Sequence, residues 1–147
     1  MGKSCCLIGS VFIDDVKSLR LKVIFTVEYL IKEGFSHFYV GNFGLFHSLA
    51  ASVCSELSKK YSINITFICS NEKSVKEVKN DVKDFFNIEN VTTFADKDSK
   101  DIDTVSYNIQ KMIDWSDCVI LYEGYVDKFT TDAYKYAKDN NKRIINI

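Results

Sequence analysis

The chain has 147 residues, of which 46% are hydrophobic and 27% are charged, a balance typical of one globular domain and unlike that of a disordered chain. Its net charge is −1 and its pI is near 6.1, so no overall positive field attracts nucleic acid, which is disfavoured as a partner. No stretch approaches the roughly 18 apolar residues that a membrane-spanning helix needs. No membrane partner is therefore expected.

Apolar runs and helical periodicities alternate along the chain, and this alternation predicts six strands and five helices. The predicted strands are 5–9, 37–41, 63–69, 90–95, 118–124 and 143–147. The predicted helices are 15–33, 45–60, 73–86, 102–115 and 129–139. Such alternation is typical of βαβ units with right-handed crossovers. We therefore expect a single Rossmann-like, doubly wound α/β domain over 1–147, with a mainly parallel sheet of five or six strands and helices on both faces.

Five cysteines, at positions 5, 6, 54, 69 and 118, show no C-x-x-C spacing. No histidine is placed to complete a zinc set, so we expect no metal and no cofactor. Four of the five fall in predicted strands, where free cysteine behaves as a small buried hydrophobe. Unpaired thiols and the lack of a signal peptide predict a cytoplasmic protein.

Glycine is scarce, with six residues in the whole chain, yet three glycines end predicted strands. Gly9, Gly41 and Gly124 follow the first, second and fifth strands. Ligands of open parallel sheets bind outside the carboxyl ends of the strands, where glycine lets the backbone approach them closely. Any one of these glycines could serve only a turn, but three together favour a shared ligand crevice.

The stretch "VGNFGLFHSLAA" (40–51) leads from the second strand into the second helix. The amides of Asn42, Phe43 and Gly44 are expected to point towards an anion, with Asn42 as the N-cap. His47 falls in the first turn, where a neutral imidazole could bond a ribose hydroxyl or a phosphate oxygen. The alternative is a surface histidine without a function.

The stretch "YEGYVDKFTTDA" (122–133) follows the fifth strand and offers Glu123, Thr130 and Thr131. Glu123 could bind a ribose diol or act as a base, and it could equally be a solvated loop acid. Dinucleotide, P-loop and nucleophile-elbow motifs are absent. We assign no catalytic residue.

Two pairs of carboxylates, Asp14 with Asp15 and Asp101 with Asp103, precede predicted helices. Both pairs are typical of helix caps, since carboxylates accept bonds from the first free amides. We assign neither pair a role in acid–base catalysis.

Four blocks of the chain together resemble the YpsA-like branch of the SLOG superfamily, which groups the Smf/DprA proteins with the LOG phosphoribohydrolases. The blocks are "CCLIG", "FYVGNFGLFHSLAA", "YNIQKMIDWSD" and "AYKYAKDNNKRIINI". The resemblance spans nearly the whole chain. It implies a Rossmann-like parallel sheet whose strand ends bind nucleotides or nucleotide-derived ligands.

Residues at the strand ends depart from the family pattern. The histidine and arginine that follow the first strand in the family are Ser10 and Val11 here, and an aspartate is replaced by His47. Phe46 and Asn108 agree with the family motifs, and together with Ser10 they join the predicted ligand-binding set. The pattern predicts a remodelled site on an intact nucleotide-binding fold.

The favoured function is non-catalytic binding or sensing of a small nucleotide-derived ligand, of the ADP-ribose or adenine-nucleotide type. One alternative is an N-glycosidic-bond hydrolase or transferase that uses Glu123 or His47, although the balance is against an enzyme. Another is a protein-interaction module that has lost ligand binding and presents exposed aromatic rings: Phe43, Phe46, Tyr125 and Phe129. A homodimer is left open.

Overall fold

The computed structural model describes residues 2–95, 104–125 and 127–147. Strands and helices alternate along these ranges. The strands are β1 (Lys3–Gly9), β2 (Phe35–Gly41), β3 (Asn64–Ile68), β4 (Asn90–Thr92), β5 (Cys118–Tyr122) and β6 (Arg143–Asn146). The helices are α1 (Val16–Lys32), α2 (Leu45–Ser58), α3 (Glu72–Phe86), α4 (Thr104–Asp114) and α5 (Lys128–Asp139).

The strands form one six-stranded sheet in the order β4-β3-β2-β1-β5-β6. All neighbouring strands are parallel. The chain moves outwards from β1 to β4, and then returns to the other side of β1 with β5 and β6. The direction of winding therefore reverses between β1 and β5, where ligands of doubly wound sheets bind. The predicted fold class is confirmed.

The central position of β1 in the sheet explains why its residues 5–8 are an unbroken apolar run. Cys5 and Leu7 pack on one face with residues of α1, α2 and α3. Cys6 and Ile8 pack on the other face with residues of α4 and α5. Because helices cover both faces, all four side chains are buried, as is typical of parallel sheets.

The helices begin at the edge of the sheet formed by the carboxyl ends of the strands, called the carboxyl edge below. Among the described residues, side chains cap three of the helices. Asp15 accepts a bond from the Ser18 amide over 3.1 Å, and Asn71 and Asp127 cap α3 and α5 in the same way. Asp15 therefore caps α1 as expected. The second carboxylate pair, Asp101 and Asp103, lies outside the described residues.

Helix α2 begins differently, and the prediction that Asn42 caps it is wrong. Its N-cap is Gly44, which has no side chain to accept a bond and adopts a φ of 133°. Leu45, the first helical residue, donates its amide to the Val11 carbonyl over 2.9 Å. The β1–α1 loop thus fixes the start of α2, and Asn42 remains exposed in the turn before it.

The predicted strand over 90–95 ends earlier than expected, at Thr92. Beyond this point the amides of Phe94 and Ala95 bond to side chains, those of Asn108 and Thr93. None of the helices in the described part of the chain is long and apolar enough to cross a membrane.

Candidate functional site

The strand order brings the predicted site to one place at the carboxyl edge. Strands β2, β1 and β5 are neighbours, and Gly9 of β1 pairs with Tyr122 of β5. Gly41 is the last residue of β2, and Gly124 lies two positions beyond β5. The three glycines therefore lie at the same edge of adjacent strands, as the doubly wound order predicts.

The space beside Gly9 is filled by an aromatic ring of the protein itself. A Cβ atom on Gly9 would lie 2.5 Å from the Phe46 ring and 2.9 Å from the Cβ of Tyr122. The Phe46 and Tyr122 rings are stacked, with centroids 5.5 Å apart and planes 19° from parallel. Phe46 is fully buried. The expectation that Phe46 is an exposed aromatic is wrong, because its ring occupies the volume left free by Gly9.

Gly41 makes room in the same way for Phe43 and His47. A Cβ atom on Gly41 would lie 2.6 Å from the Phe43 ring and 2.9 Å from the Nδ1 atom of His47. The Phe43 ring is half-buried and meets the His47 ring edge-on, at 5.3 Å between centroids. The imidazole therefore lies between the end of β2 and a phenyl ring.

The environment of His47 is the most unusual feature of this edge. The side chain is 1% exposed, and its Nδ1 atom has no hydrogen-bond partner. Burial lowers its pKa to about 4, although the nearby Asp127 carboxylate acts in the opposite direction. The ring is therefore neutral near pH 7. The alternative of a surface histidine is wrong.

An unpartnered polar atom at this depth has an energetic cost. Leaving a buried donor or acceptor unsatisfied costs about 1–3 kcal/mol, and native proteins contain few such groups. His47 lies in the first turn of α2, which has no side-chain cap, so its Nδ1 is an unused hydrogen-bonding atom beside the start of that helix.

The backbone at the start of α2 offers hydrogen-bond donors beside this imidazole. Leu45 bonds to Val11, and the first bond within the helix runs from the Ser48 amide to the Gly44 carbonyl over 3.2 Å. Between them, the amides of Phe46 and His47 have no partner among the described residues. Free amides at a helix N-terminus favour an anion or another hydrogen-bond acceptor.

Ser10, at the position of the family's histidine, joins β1 to the loop after β5. Its hydroxyl donates to the Tyr125 carbonyl over 2.7 Å and accepts from the Tyr125 amide over 3.1 Å. Its own amide bonds to the Tyr122 carbonyl. Ser10 is fully buried, so in this structure it holds the two strand ends together.

Sequence reasoning missed Phe12, which extends the site outwards. Phe12 is 62% exposed and meets the Tyr125 ring edge-on at 6.1 Å. The Tyr125 hydroxyl in turn bonds to Asp14. Phe43 and Phe129 lie at other points of the carboxyl edge, and we call these four residues the aromatic edge: Phe12, Phe43, Tyr125 and Phe129. The position of Phe12, directly between a predicted strand and a predicted helix, was the available indication.

Both the oxygen and the nitrogen of the Asn108 side-chain amide are hydrogen-bonded within the protein. Its oxygen accepts bonds from the Phe94 amide and the Thr93 hydroxyl. Its nitrogen donates to the carbonyls of Ser70 and Thr104. The residue is fully buried and ties α4 to the ends of β3 and β4. Its role as a ligand contact stays a prediction, one that requires a ligand to replace one of these bonds.

The other predicted site residues lie at the same edge with different surroundings. Glu123 and Thr131 are exposed. Thr130 is buried, and it donates both its amide and its hydroxyl to the Asp127 carboxylate, over 2.8 and 3.0 Å. Thr130 thus completes the cap of α5. Among the described residues, no three His, Cys, Asp or Glu side chains are grouped so that they could hold a metal ion.

Comparison with known proteins gives a result for the fold alone. No protein-family model and no curated protein matches the chain. Among solved structures, DNA processing protein A (DprA) from Streptococcus pneumoniae matches over 99% of this chain and 50% of its own, with a TM-score of 0.73 at 12% identity. The fold is that of DprA. The chain thus shares its Rossmann-like fold with this protein.

A second DprA structure bears on the expected partners. The Helicobacter pylori protein, described for its single-stranded DNA binding mode, matches with a TM-score of 0.72 at 15% identity, over 99% of this chain and 65% of that one. This finding contradicts the expectation that nucleic acid is disfavoured. That expectation came from the net charge, which averages over the whole surface and does not describe one edge of it. This chain spans between half and two thirds of the DprA chains.

We predict that Gly9→Ala destabilises the protein by roughly 1–3 kcal/mol, because the new methyl group overlaps the buried Phe46 ring. Urea denaturation measures the free energy of unfolding. In a Phe46→Leu background the shorter side chain should relieve the overlap, so the cost of Gly9→Ala should fall. An equal cost in both backgrounds would mean that the Phe46 ring is not what Gly9 accommodates.

We also predict that His47 makes stability depend on pH. The unfolded chain protonates this histidine near pH 6.5, whereas in the folded protein its pKa is about 4. As the pH falls from about 6.5 to about 4, the unfolded state gains the proton first, so stability falls by up to roughly 1.4 kcal/mol per pH unit. Above that range this contribution is constant.

The measurement is the difference in unfolding free energy between the wild type and His47→Leu, from about pH 7 to about pH 5. The pKa of His37 is also lowered by burial, but His37 is present in both proteins and cancels. The difference should shift steadily in favour of the variant as the pH falls. Parallel pH profiles would refute the assignment of a buried, neutral His47.

Proposed function

We propose that this domain binds nucleotide units at the carboxyl edge, either as a free nucleotide or within a single-stranded nucleic acid, and does not convert them chemically. The observation that carries the proposal is the buried, neutral His47 beside the uncapped start of α2. The imidazole Nδ1 and the amides of Phe46 and His47 lack partners within the described structure. A ligand would supply those partners.

The two kinds of free group suit different parts of a nucleotide. Backbone amides at a helix N-terminus bind phosphate oxygens. A neutral imidazole offers one donor and one acceptor, which suits a ribose hydroxyl or the edge of a base. Phe43, whose ring lies against His47, is the side chain that a bound nucleotide would have to contact or displace.

The aromatic edge supplies stacking surfaces for bases. Phe12, Tyr125 and Phe129 are 62%, 42% and 38% exposed. Stacking of a base on an aromatic side chain contributes about 1–3 kcal/mol and tolerates any base, since every base has a π face. Three exposed rings at the edge where ligands of this fold class bind therefore support recognition of bases.

Carboxylates at the same edge limit the attraction of phosphate. Asp14 and Asp15 are exposed beside Phe12, and Asp127 lies close enough to His47 to affect its pKa. We therefore expect stacking and hydrogen bonds to provide most of the affinity. In that case binding should depend only weakly on salt, in contrast to proteins that neutralise many phosphates.

Binding without turnover is favoured by the chemistry of His47. An efficient acid–base catalyst has a pKa near the working pH, whereas the pKa of His47 is about 4. A ring that stays neutral near pH 7 is suited to a fixed hydrogen bond rather than to proton transfer.

The DprA-type fold adds support, since the H. pylori neighbour is described as binding single-stranded DNA. At 15% identity this likeness does not carry that activity over to this chain. Membership of the YpsA-like branch rests on the sequence blocks alone, and a cytoplasmic location on unpaired cysteines, all five of which are buried and free. Both stay predictions.

The proposal is tested with two probes. Calorimetric titration with adenosine monophosphate measures binding of a free nucleotide, and fluorescence anisotropy of a labelled oligothymidylate measures binding of a single strand. His47→Leu should lower the affinity for the probe that binds by about tenfold or more, because a charge-assisted or buried hydrogen bond is lost. The same variant should not be less stable than the wild type near pH 7.

The aromatic edge is tested on the same two probes with a matched control. Phe12→Ala should lower the affinity for the probe that binds by about tenfold, the effect of losing one stacked base. Phe85→Ala should change nothing, because Phe85 is a more exposed phenylalanine, at 82%, on the outer surface of α3. Failure of the wild type to bind either probe, or equal losses in Phe12→Ala and Phe85→Ala, would reject the proposal.

A further inference from the structure

Helix α1 exposes large apolar side chains on the side that faces away from the core. Leu21, Phe25 and Tyr29 are 55%, 66% and 55% exposed. They are spaced four residues apart, so they form one continuous row along the helix, called the outer stripe below. Single exposed apolar residues are ordinary, but a contiguous apolar patch marks an interaction surface.

A groove runs between the outer stripe and the last strand of the sheet. The cavity has a volume of about 390 Å³ and is lined by Phe25, Thr26, Tyr29, Arg143 and Ile145. Ile145 of β6 pairs in register with Ile120 of β5, whose side chain belongs to the core under α1, α2 and α3. The floor of the groove is therefore the end of the sheet face that these helices cover.

This part of the sheet face is open where a further helix would fit. Helix α5 packs against β6, and its buried residues belong to the core on the opposite face. Ile145 remains half-buried beside the cavity. Parallel sheets are normally covered by helices on both faces. A helix placed beside α1 would cover Ile145 and the outer stripe together.

We propose that this groove binds an amphipathic α-helix of a partner protein, with apolar side chains on one side and carboxylates along its flanks. The apolar side would pack against Phe25, Tyr29 and Ile145, in the helix-in-groove mode of recognition. Burial of aromatic side chains at the centre of such a contact provides most of the binding energy.

The charges beside the outer stripe determine which charge the partner helix must carry. The carboxylate of α1 and that of its C-cap residue are already in use: Glu28 contacts Lys60 and Tyr61, and Glu33 pairs with Arg143 over 2.8 Å. The helix also carries three lysines that have no ion pair among the described residues, and they flank the stripe: Lys17, Lys22 and Lys32. The surface is therefore apolar at its centre and positive at its rim.

The same charges disfavour a second copy of this chain as the occupant. A two-fold interface places the same patch on both subunits, so the unpaired lysines would face one another. A lipid surface would contact the outer stripe, whereas a helix would contact both the stripe and Ile145.

The test uses a designed, end-blocked, fluorescein-labelled peptide of about 18 residues, or five helical turns, with leucines on one side and glutamates on its flanks. A second peptide replaces every glutamate with lysine. The wild type should bind the glutamate peptide, and should bind the lysine peptide at least about tenfold more weakly. Chemical shifts in the NMR spectrum should change in α1 and β6.

Phe25→Ser should weaken binding of the glutamate peptide by about tenfold or more, and Lys22→Glu should weaken it less and reduce its salt dependence. Phe85→Ser is the matched control and should bind like the wild type. Both positions are exposed, so unchanged melting temperatures verify the folds. No binding, equal binding of the two peptides, or equal effects of Phe25→Ser and Phe85→Ser would overturn the proposal.

Two further measurements test the other possible occupants of this surface, a membrane and a second copy of the chain. Sedimentation with phosphatidylserine vesicles would overturn the proposal if the wild type bound them and Phe25→Ser did not, since the surface would then be a membrane contact. Analytical ultracentrifugation would overturn it if the wild type formed a dimer that Phe25→Ser dissociated. We expect no vesicle binding and a monomer in both proteins.

Discussion

The packing of the Phe46 ring into the volume left free by Gly9 determines the arrangement of the carboxyl edge. It brings the start of α2 against the end of β1, and it stacks the ring on Tyr122 at the end of β5. The three elements that meet there come from distant parts of the chain. Because the ring is fully buried, the first turn of α2 has little freedom to shift, and His47 is held in its unpartnered position by a neighbour that is itself fixed.

This packing explains the strand-end glycines structurally, and hydrogen-bonding groups without partners remain beside them. Gly9 and Gly41 accommodate rings of the protein, whereas the unsatisfied groups belong to the next turn, on His47 and the adjacent amides. Phe46 is accommodated by packing within the protein, whereas the proposed ligand would supply the hydrogen bond that the His47 imidazole lacks.

The sequence was sufficient for the fold because its pattern is local and regular. Each strand is a short apolar run, each helix shows apolar residues at helical spacing, and both faces of β1 are covered by helices. The strand order followed from the rules of doubly wound sheets. The carboxyl-edge position of the three glycines followed from that order, since it depends only on where strands end.

The depth and the partners of side chains could not be predicted in the same way. The alternative of a surface position for His47 is wrong because the Phe43 ring and the end of β2 enclose the side chain. Asn42 was expected to cap α2, but the cap position moved to Gly44 because the Leu45 amide bonds to Val11, a residue of another loop. The cap of α2 depends on a contact between residues far apart in sequence, and the burial of His47 depends on how the side chains of one turn pack together. Periodicity contains neither kind of information.

The central position of β1 has a consequence for how the protein reaches its native state. One of the two neighbours of β1 is β5, which is synthesised much later than β1, and the backbone amide of Ser4 bonds to Asp117, 113 positions further along the chain. Contacts of such long range slow folding, because a large loop must close before they form. Until β5 is available, one edge of β1 stays unpaired, as in an edge strand open to association with other chains. The nascent chain therefore has an exposed β1 edge between the synthesis of β1 and that of β5, and this edge is covered only when β5 pairs with it.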